Sequence, residues 1–173
     1  MTYPNPAIQV QYNRYQDRGR LGAPARLDNN VVFYDTATAG VDLLPGQGVY
    51  LDTSVGLTTG QWILPASDAE GNLVTHIVSF DPSALNFDIT PQNGNSSSEV
   101  KFPANTPLVK AMRVGAITLN AGADILRGQA VVYQQSSTSY VLNTLTGNKI
   151  RLIALEDASN GSLFAARLSQ AGE

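Results

Sequence analysis

His76 is the one histidine in the chain and cysteine is absent, so the side chains able to move protons near neutral pH reduce to one imidazole and a set of carboxylates. His76 lies in the apolar stretch Leu73-Val74-Thr75-His76-Ile77-Val78, where it reads as a strand residue facing solvent or a subunit contact. A glycosidase needs two carboxyls at a fixed separation. Asp52, Asp68, Asp81 and Asp88 all stand at loop edges, but no spacing pairs any two of them. The sequence contains no G-x-S-x-G elbow, Walker loop, H-E-x-x-H helix or EF-hand loop. Lack of cysteine removes thiolate zinc sites, disulfides and thiol redox chemistry, and fits assembly in a reducing cytoplasm. The reading is a protein that is not an enzyme, with no catalytic residue, no cofactor and no metal site.

Two further aspartates recur in matched surroundings. Ala39-Gly40-Val41-Asp42-Leu43-Leu44-Pro45-Gly46-Gln47-Gly48-Val49 aligns without a gap on Ala121-Gly122-Ala123-Asp124-Ile125-Leu126-Arg127-Gly128-Gln129-Ala130-Val131. The shared pattern reads as a turn, a short apolar step, a tight glycine turn and a strand. Gly40, Gly46, Gly122 and Gly128 can take positive φ without steric cost, and Asp42 and Asp124 can accept a backbone hydrogen bond two residues on. Turn chemistry therefore accounts for both aspartates, and Leu44 and Leu126 are expected to point inward. Each half also carries an apolar strand before an acidic turn: Trp62-Ile63-Leu64 before Asp68-Ala69-Glu70-Gly71, and Ile150 to Leu155 before Glu156-Asp157-Ala158.

These motifs sit among short β-branched and aromatic runs separated by Gly, Pro, Asn and Asp, the punctuation of sandwiches and barrels. Strands are expected at Asn30 to Tyr34, Gly48 to Asp52, Gln61 to Leu64, Leu73 to Phe80, Val100 to Phe102, Leu108 to Val114, Ala116 to Leu119, Ala130 to Gln134, Tyr140 to Asn143, Lys149 to Leu155 and Leu163 to Leu168. No window holds a helical period for three turns; Asp68 to Leu73 and Pro82 to Leu85 each supply one turn at most. The fold class is all-β: a β-barrel or a jelly-roll-like β-sandwich, with the duplication leaving one barrel or two open. The β domain spans 29–173, in halves of approximately 29–90 and 100–173, joined by a polar loop at 81–99 with Asn93-Gly94-Asn95 and Ser96-Ser97-Ser98 at its tip.

Residues 1–28 lack alternation and read as an extended arm. Four arginines against Asp17 and Asp28 give the arm a net charge of +2, leaving seven basic against twelve acidic side chains, a net −5, in the remainder. Tyr3, Tyr12, Tyr15, Arg14, Arg18 and Arg20 are the residue types enriched at interface anchors, and they are the candidate partner-binding residues. Charged residues make up 14% of the chain, well below the usual quarter. An uncharged polar surface of Asn, Gln, Ser and Thr costs less to desolvate against a partner than a Lys/Glu surface. The net charge of −3 and the scattered Lys and Arg give no phosphate-neutralising footprint, so nucleic acid is not an expected partner. No stretch reaches the length of a membrane span, and the N-terminus Met1-Thr2-Tyr3-Pro4-Asn5-Pro6 has no signal-peptide pattern; neither membrane insertion nor secretion by that route is expected.

The phrases Gly46-Gln47-Gly48-Val49-Tyr50-Leu51-Asp52 and Ile77-Val78-Ser79-Phe80-Asp81-Pro82, with Arg127-Gly128-Gln129-Ala130-Val131-Val132-Tyr133 in the second half, resemble the cement or decoration proteins of tailed-bacteriophage capsids. That resemblance implies a virion protein on the outer capsid surface, made in the host bacterial cytoplasm. Its partners would be the major capsid protein and its own copies, in a symmetric oligomer expected to be a trimer. The opposed reading is a carbohydrate-binding or adhesin-type β module of a phage tail, with Trp62 and exposed tyrosines as stacking platforms.

Overall fold

A computed structural model of the chain describes residues 21–25, 31–54, 60–80 and 101–171. Among them the strands are β1 (Phe33–Ala39), β2 (Gly48–Asp52), β3 (Gln61–Ile63), β4 (His76–Val78), β5 (Val109–Asn120), β6 (Ala130–Gln134), β7 (Ser139–Leu142), β8 (Ile150–Ala154) and β9 (Leu163–Gln170). One 3-10 turn, Asp68–Leu73, stands between β3 and β4. The all-β expectation holds, and β2 and β6 have the expected bounds. Elsewhere strand limits move: β1 begins at Phe33, Leu73 belongs to the 3-10 turn, and of the expected strand at Val100 to Phe102, Phe102 makes a single bridge to Leu43 while Val100 lies outside the described residues. The expected strands Leu108 to Val114 and Ala116 to Leu119 are one strand, β5, with Gly115 inside it. The expected turn at Pro82 to Leu85 lies outside the described residues.

Backbone pairing resolves the duplication into two barrels. The order β1-β3-β2-β4-β5, together with antiparallel pairing of β1 to β5, closes a ring of five strands. The order β5-β9-β8-β6-β7 repeats it, and the parallel bridge from Ala121 to Tyr140 closes the second ring. Registers match strand for strand. Asp35, Thr36 and Ala37 of β1 face Ala111, Lys110 and Val109, just as Ile117, Thr118 and Leu119 of β5 face Ala166, Ala165 and Phe164. Leu51 faces Trp62 as Tyr133 faces Tyr140, and Val49 faces His76 as Val131 faces Leu152.

Strand β5 is therefore shared: residues before Gly115 complete the first barrel, and residues from Gly115 onward open the second. The repeat junction lies at Gly115 rather than in the polar loop 81–99, which falls outside the described residues and connects β4 to β5 within the first half. Likewise β8 corresponds to β4, and β7 to β3, so the paired acidic turns read from the sequence are not equivalent positions. Gly115 has φ +137°, and a Cβ there would meet Val32 Cγ2 at 3.2 Å and Met112 Sδ at 3.3 Å. Only glycine takes that backbone without strain.

Each barrel holds its own core. Ala39, Leu43, Val49, Trp62, Val78, Phe102, Val109 and Ala111 fill the first. Their counterparts Ala121, Ile125, Val131, Tyr140, Ala154, Phe164 and Ala166 lie in the second cluster, which also takes in Val74, Ile77 and Met112 from the first barrel. Alternation along β4 and β5 explains this division: Val78 and Ala111 point into the first barrel while Ile77 and Met112 point at its neighbour, gluing the two together. The expected inward leucines are displaced by one position. Leu43 and Ile125 are buried, whereas Leu44 is partly exposed and Leu126 is 61% exposed, because each bridge residue turns its side chain inward and the next residue turns out.

The end of the expected arm belongs to the barrel wall. Gly22 N–H donates to Thr118 O at 2.8 Å, Thr118 N–H to Ala23 O at 2.9 Å, and Ala25 N–H to Ala116 O at 2.8 Å. Pro24 lies opposite Ile117 in the position whose nitrogen faces away from β5, where the missing N–H costs nothing. Five residues are too few to display alternation, so the sequence pattern hides this segment. Removing residues 1–25 should lower stability by about 3 kcal/mol relative to removing residues 1–20, through lost bonds and exposed apolar surface. Calorimetry should then show a Tm roughly 6–12 °C lower; equal Tm values for the two truncations would mean that the segment contributes nothing to the wall.

Candidate functional site

The duplicated turns superimpose in their bonding. Gly46 and Gly128 have φ of +85° and +86°, as their turn chemistry requires. In the first turn Gln47 Oε1 accepts the Leu44 N–H at 2.8 Å; in the second Gln129 Oε1 accepts the Leu126 N–H at 2.7 Å. The aspartates act at longer range than a local turn. Asp42 Oδ1 accepts the Ala104 N–H at 2.9 Å and Asp124 Oδ1 accepts the Asn160 N–H at 3.0 Å, so each ties its turn to the loop entering the last strand of its own barrel. Hydrogen bonds from Lys101 and the Ala104 backbone hold the Asp42 carboxyl below its ordinary range.

The local bond expected of the aspartates is made instead by the two glutamines. Their signal was the identical Gly-Gln dipeptide in both halves. Gly40 and Gly122 do not take positive φ; they are glycine because a Cβ at Gly40 would lie 2.9 Å from Ile63 Cγ2 and one at Gly122 would collide with Ser139 Oγ. The structure thus does not bring Asp42 and Asp124 together as a catalytic or metal-binding pair.

Of the proton-transfer candidates, His76 meets two residues that the sequence did not single out, Asp35 and Arg113. His76 Nε2 lies 2.8 Å from Asp35 Oδ2 and Nδ1 lies 2.8 Å from Thr75 Oγ1. The acceptor-only carboxylate assigns Nε2 as the donor, leaving Nδ1 to accept from Thr75. The ring packs on Trp62 with centroids 4.6 Å apart, and Arg113 Nε stands 3.9 Å from the same Asp35 oxygen. His76 is 12% exposed, so it is packed into the barrel end instead of facing solvent, the first of the two readings of it. Sequence alone could not show this, because Asp35, His76 and Arg113 come from three strands.

The twin barrel carries apolar residues at the matching positions. The registers that match the barrels place Ile117, Leu152 and Leu168 where Asp35, His76 and Arg113 stand, and all three are buried. Burial, the largest influence, lowers the His76 pKa from its ordinary 6.5, against the opposing pull of the Asp35 bond.

The remaining candidates are accounted for separately. Asp52 Oδ1 accepts the Ser54 N–H at 2.8 Å, and Asp68 accepts both the N–H and the hydroxyl of Ser136 at 2.8 and 2.6 Å. These bonds depress both carboxyl pKa values, opposite to what a general acid needs. Asp81 and Asp88 lie outside the described residues, as do the arm residues Tyr3, Tyr12, Arg14, Tyr15, Arg18 and Arg20. Trp62 is 1% exposed and donates its indole N–H to Val109 O at 2.9 Å, so it cannot serve as a sugar-stacking platform.

Tyr133 and Tyr140 are also core residues; burial raises the Tyr133 pKa to about 12 and that of Tyr140 well above 10.0. Tyr140 OH donates to Gly46 O at 2.8 Å, binding the core of the second barrel to the turn of the first.

Two outcomes are expected. Because burial lowers the His76 pKa, the stability that His76 contributes should be full above pH 6.5 and decline as pH falls below it, where the unfolded chain gains the proton. His76→Leu, which installs the side chain of the twin position, should flatten that decline in thermal melts from pH 7.5 to 5. An unchanged slope would assign the decline to other groups. For the paired aspartates, Asp42→Asn with Asp124→Asn keeps an acceptor oxygen and should leave Tm nearly unchanged, whereas the double alanine variant should lower it.

No protein-family model matches the chain, and no curated protein matches it.

Proposed function

We propose that the chain is a structural virion protein that binds the outer surface of an icosahedral phage capsid and stabilises contacts between capsomers. The observation carrying this reading is the way the molecule spends its side chains: aromatic and aliphatic residues fill two locked barrels, while large apolar residues remain at the surface. Leu108 at 70%, Val31 at 65%, Leu126 at 61% and Phe33 at 52% exposure leave apolar side chains on that scaffold available to a partner. The uncharged polar composition supports the same reading, since such a surface sheds water at low cost.

Binding acts by linkage. A protein that binds the assembled shell and not its separate subunits stabilises assembly by its binding free energy, multiplied over many sites. A buried area of about 800 Å² on each side suffices for a specific contact. A trimer matches a threefold or quasi-threefold position on the shell with its own symmetry.

Cosedimentation with undecorated capsids of the same phage tests the proposal: saturable binding supports it, and protein that stays in the supernatant at micromolar concentration rejects it. Removing residues 1–20, which carry three tyrosines and three arginines, should weaken that binding on the order of tenfold to a thousandfold while the barrels stay folded. Light scattering should give the trimer mass; a monomer over a wide concentration range, on and off the particle, would remove the symmetry argument.

A further inference from the structure

Internal duplication provides a comparison of the same sheet edge in two states. In the second barrel, the edge of β5 facing away from β9 is occupied by residues 22–25, which bond to Ala116 and Thr118. The matched registers make Tyr34 and Thr36 of β1 the counterparts of Ala116 and Thr118. Their outward N–H and C=O groups therefore face the same way, and among the described residues no backbone group pairs with them. Ala116 and Thr118 are 2% and 5% exposed, whereas Tyr34 is 37% exposed and Thr36 is exposed as well. An unpaired edge of this kind is a template for another strand.

We infer that the β1 edge at Tyr34 to Thr36 docks an extended segment of small, uncharged residues from the coat subunit, running antiparallel to β1; the identity of the partner rests on the capsid-binding reading above. The chain's own filler defines the chemistry. It is Gly22-Ala23-Pro24-Ala25, antiparallel to β5, a run of small, uncharged side chains. The rim beside the open edge is apolar, with Val31 and Phe33 both more than half exposed. Of the nearby charges, Asp35 and Arg113 lie 3.9 Å apart and Lys110 stands opposite Thr36, so the neutral composition of the filler, not the local charge, sets the choice of a neutral segment.

The test uses the full-length, isotope-labelled protein and a capped synthetic peptide of the sequence Leu-Gly-Ala-Pro-Ala. Saturable shifts and slowed exchange at the Tyr34 and Thr36 amides are expected, without dependence on any variant. Thr36→Pro removes the outward N–H and spares the β5 ladder; it should weaken peptide binding about tenfold or more, the effect of one lost hydrogen bond, with folding checked by Trp62 fluorescence. The same variant should lose a similar factor in cosedimentation with undecorated capsids. Peptide shifts elsewhere, or none, overturn the docking edge. Normal capsid binding by a folded Thr36→Pro variant overturns the edge as the capsid contact while the capsid-binding reading stands. Wild-type protein that takes the peptide but ignores capsids overturns the coat subunit as partner, and amide protection that grows with protein concentration alone assigns the edge to a second copy.

Discussion

One strand closes two barrels. Because β5 supplies the last wall of the first barrel and the first wall of the second, neither ring can change its register without disturbing the other. The side chains of β5 then have no free choice of face: Ala111 must enter the first core and Met112 must meet the second barrel. At the crossover the chain needs a residue that tolerates positive φ against Val32 and Met112, and Gly115 meets both conditions. The contacts between the barrels follow from this geometry. Ile77 and Val74 join Met112 in the second cluster, Tyr140 reaches back to Gly46, and the Asn72 side chain donates to Thr146 O at 3.0 Å. A hinge between the halves would have to break all of these along with the shared strand, so the pair behaves as one body.

Duplication also separates what the fold requires from what it permits. The glycine turn, its glutamine and its aspartate recur with bond lengths that agree to within a tenth of an ångström, which marks them as parts of the barrel design. The barrel ends have diverged. Three buried apolar residues of the second barrel correspond in the first to a hydrogen-bonded Asp and His with an Arg ion-paired to the Asp. Replacing apolar packing with polar groups rarely adds stability, because desolvation offsets most of the attraction. Departures from the local rule are expected where a surface has been adapted to something other than folding.

The turns were readable in the sequence because their physics is local. Gly46 and Gly128 need positive φ, and the Gly-Gln dipeptide carries its own bond partner within three residues. Strand type was readable for the same reason, as β2 and β6 show. Face assignment was not. Which of Leu43 and Leu44 enters the core depends on the bridge to Phe102, some sixty residues away, and a one-residue error inverts the side chains. The repeat junction was hidden for a related reason: Gly115 resembles the glycine of a loop between two strands, and only pairing on both sides reveals that the strand continues. The Asp35, His76 and Arg113 cluster could not be read at all, since no spacing in one strand implies a neighbour in another.

Rigidity bears directly on adhesion. A contact made by a body that is already ordered loses little conformational entropy on binding, so more of its contact energy appears as affinity than for a segment that must fold as it docks. Sharing β5 supplies that order to both barrels at once, and it leaves them inequivalent. The second barrel has its β5 edge filled by residues 22–25 and its end plugged by Ile117, Leu152 and Leu168. The first keeps an edge at Tyr34 and Thr36 that is unpaired among the described residues, and a polar end at Asp35, His76 and Arg113. With the second barrel closed and well packed, the first can carry exposed apolar residues and polar substitutions that would weaken it alone, because its register is fixed by a neighbour that does not share those features.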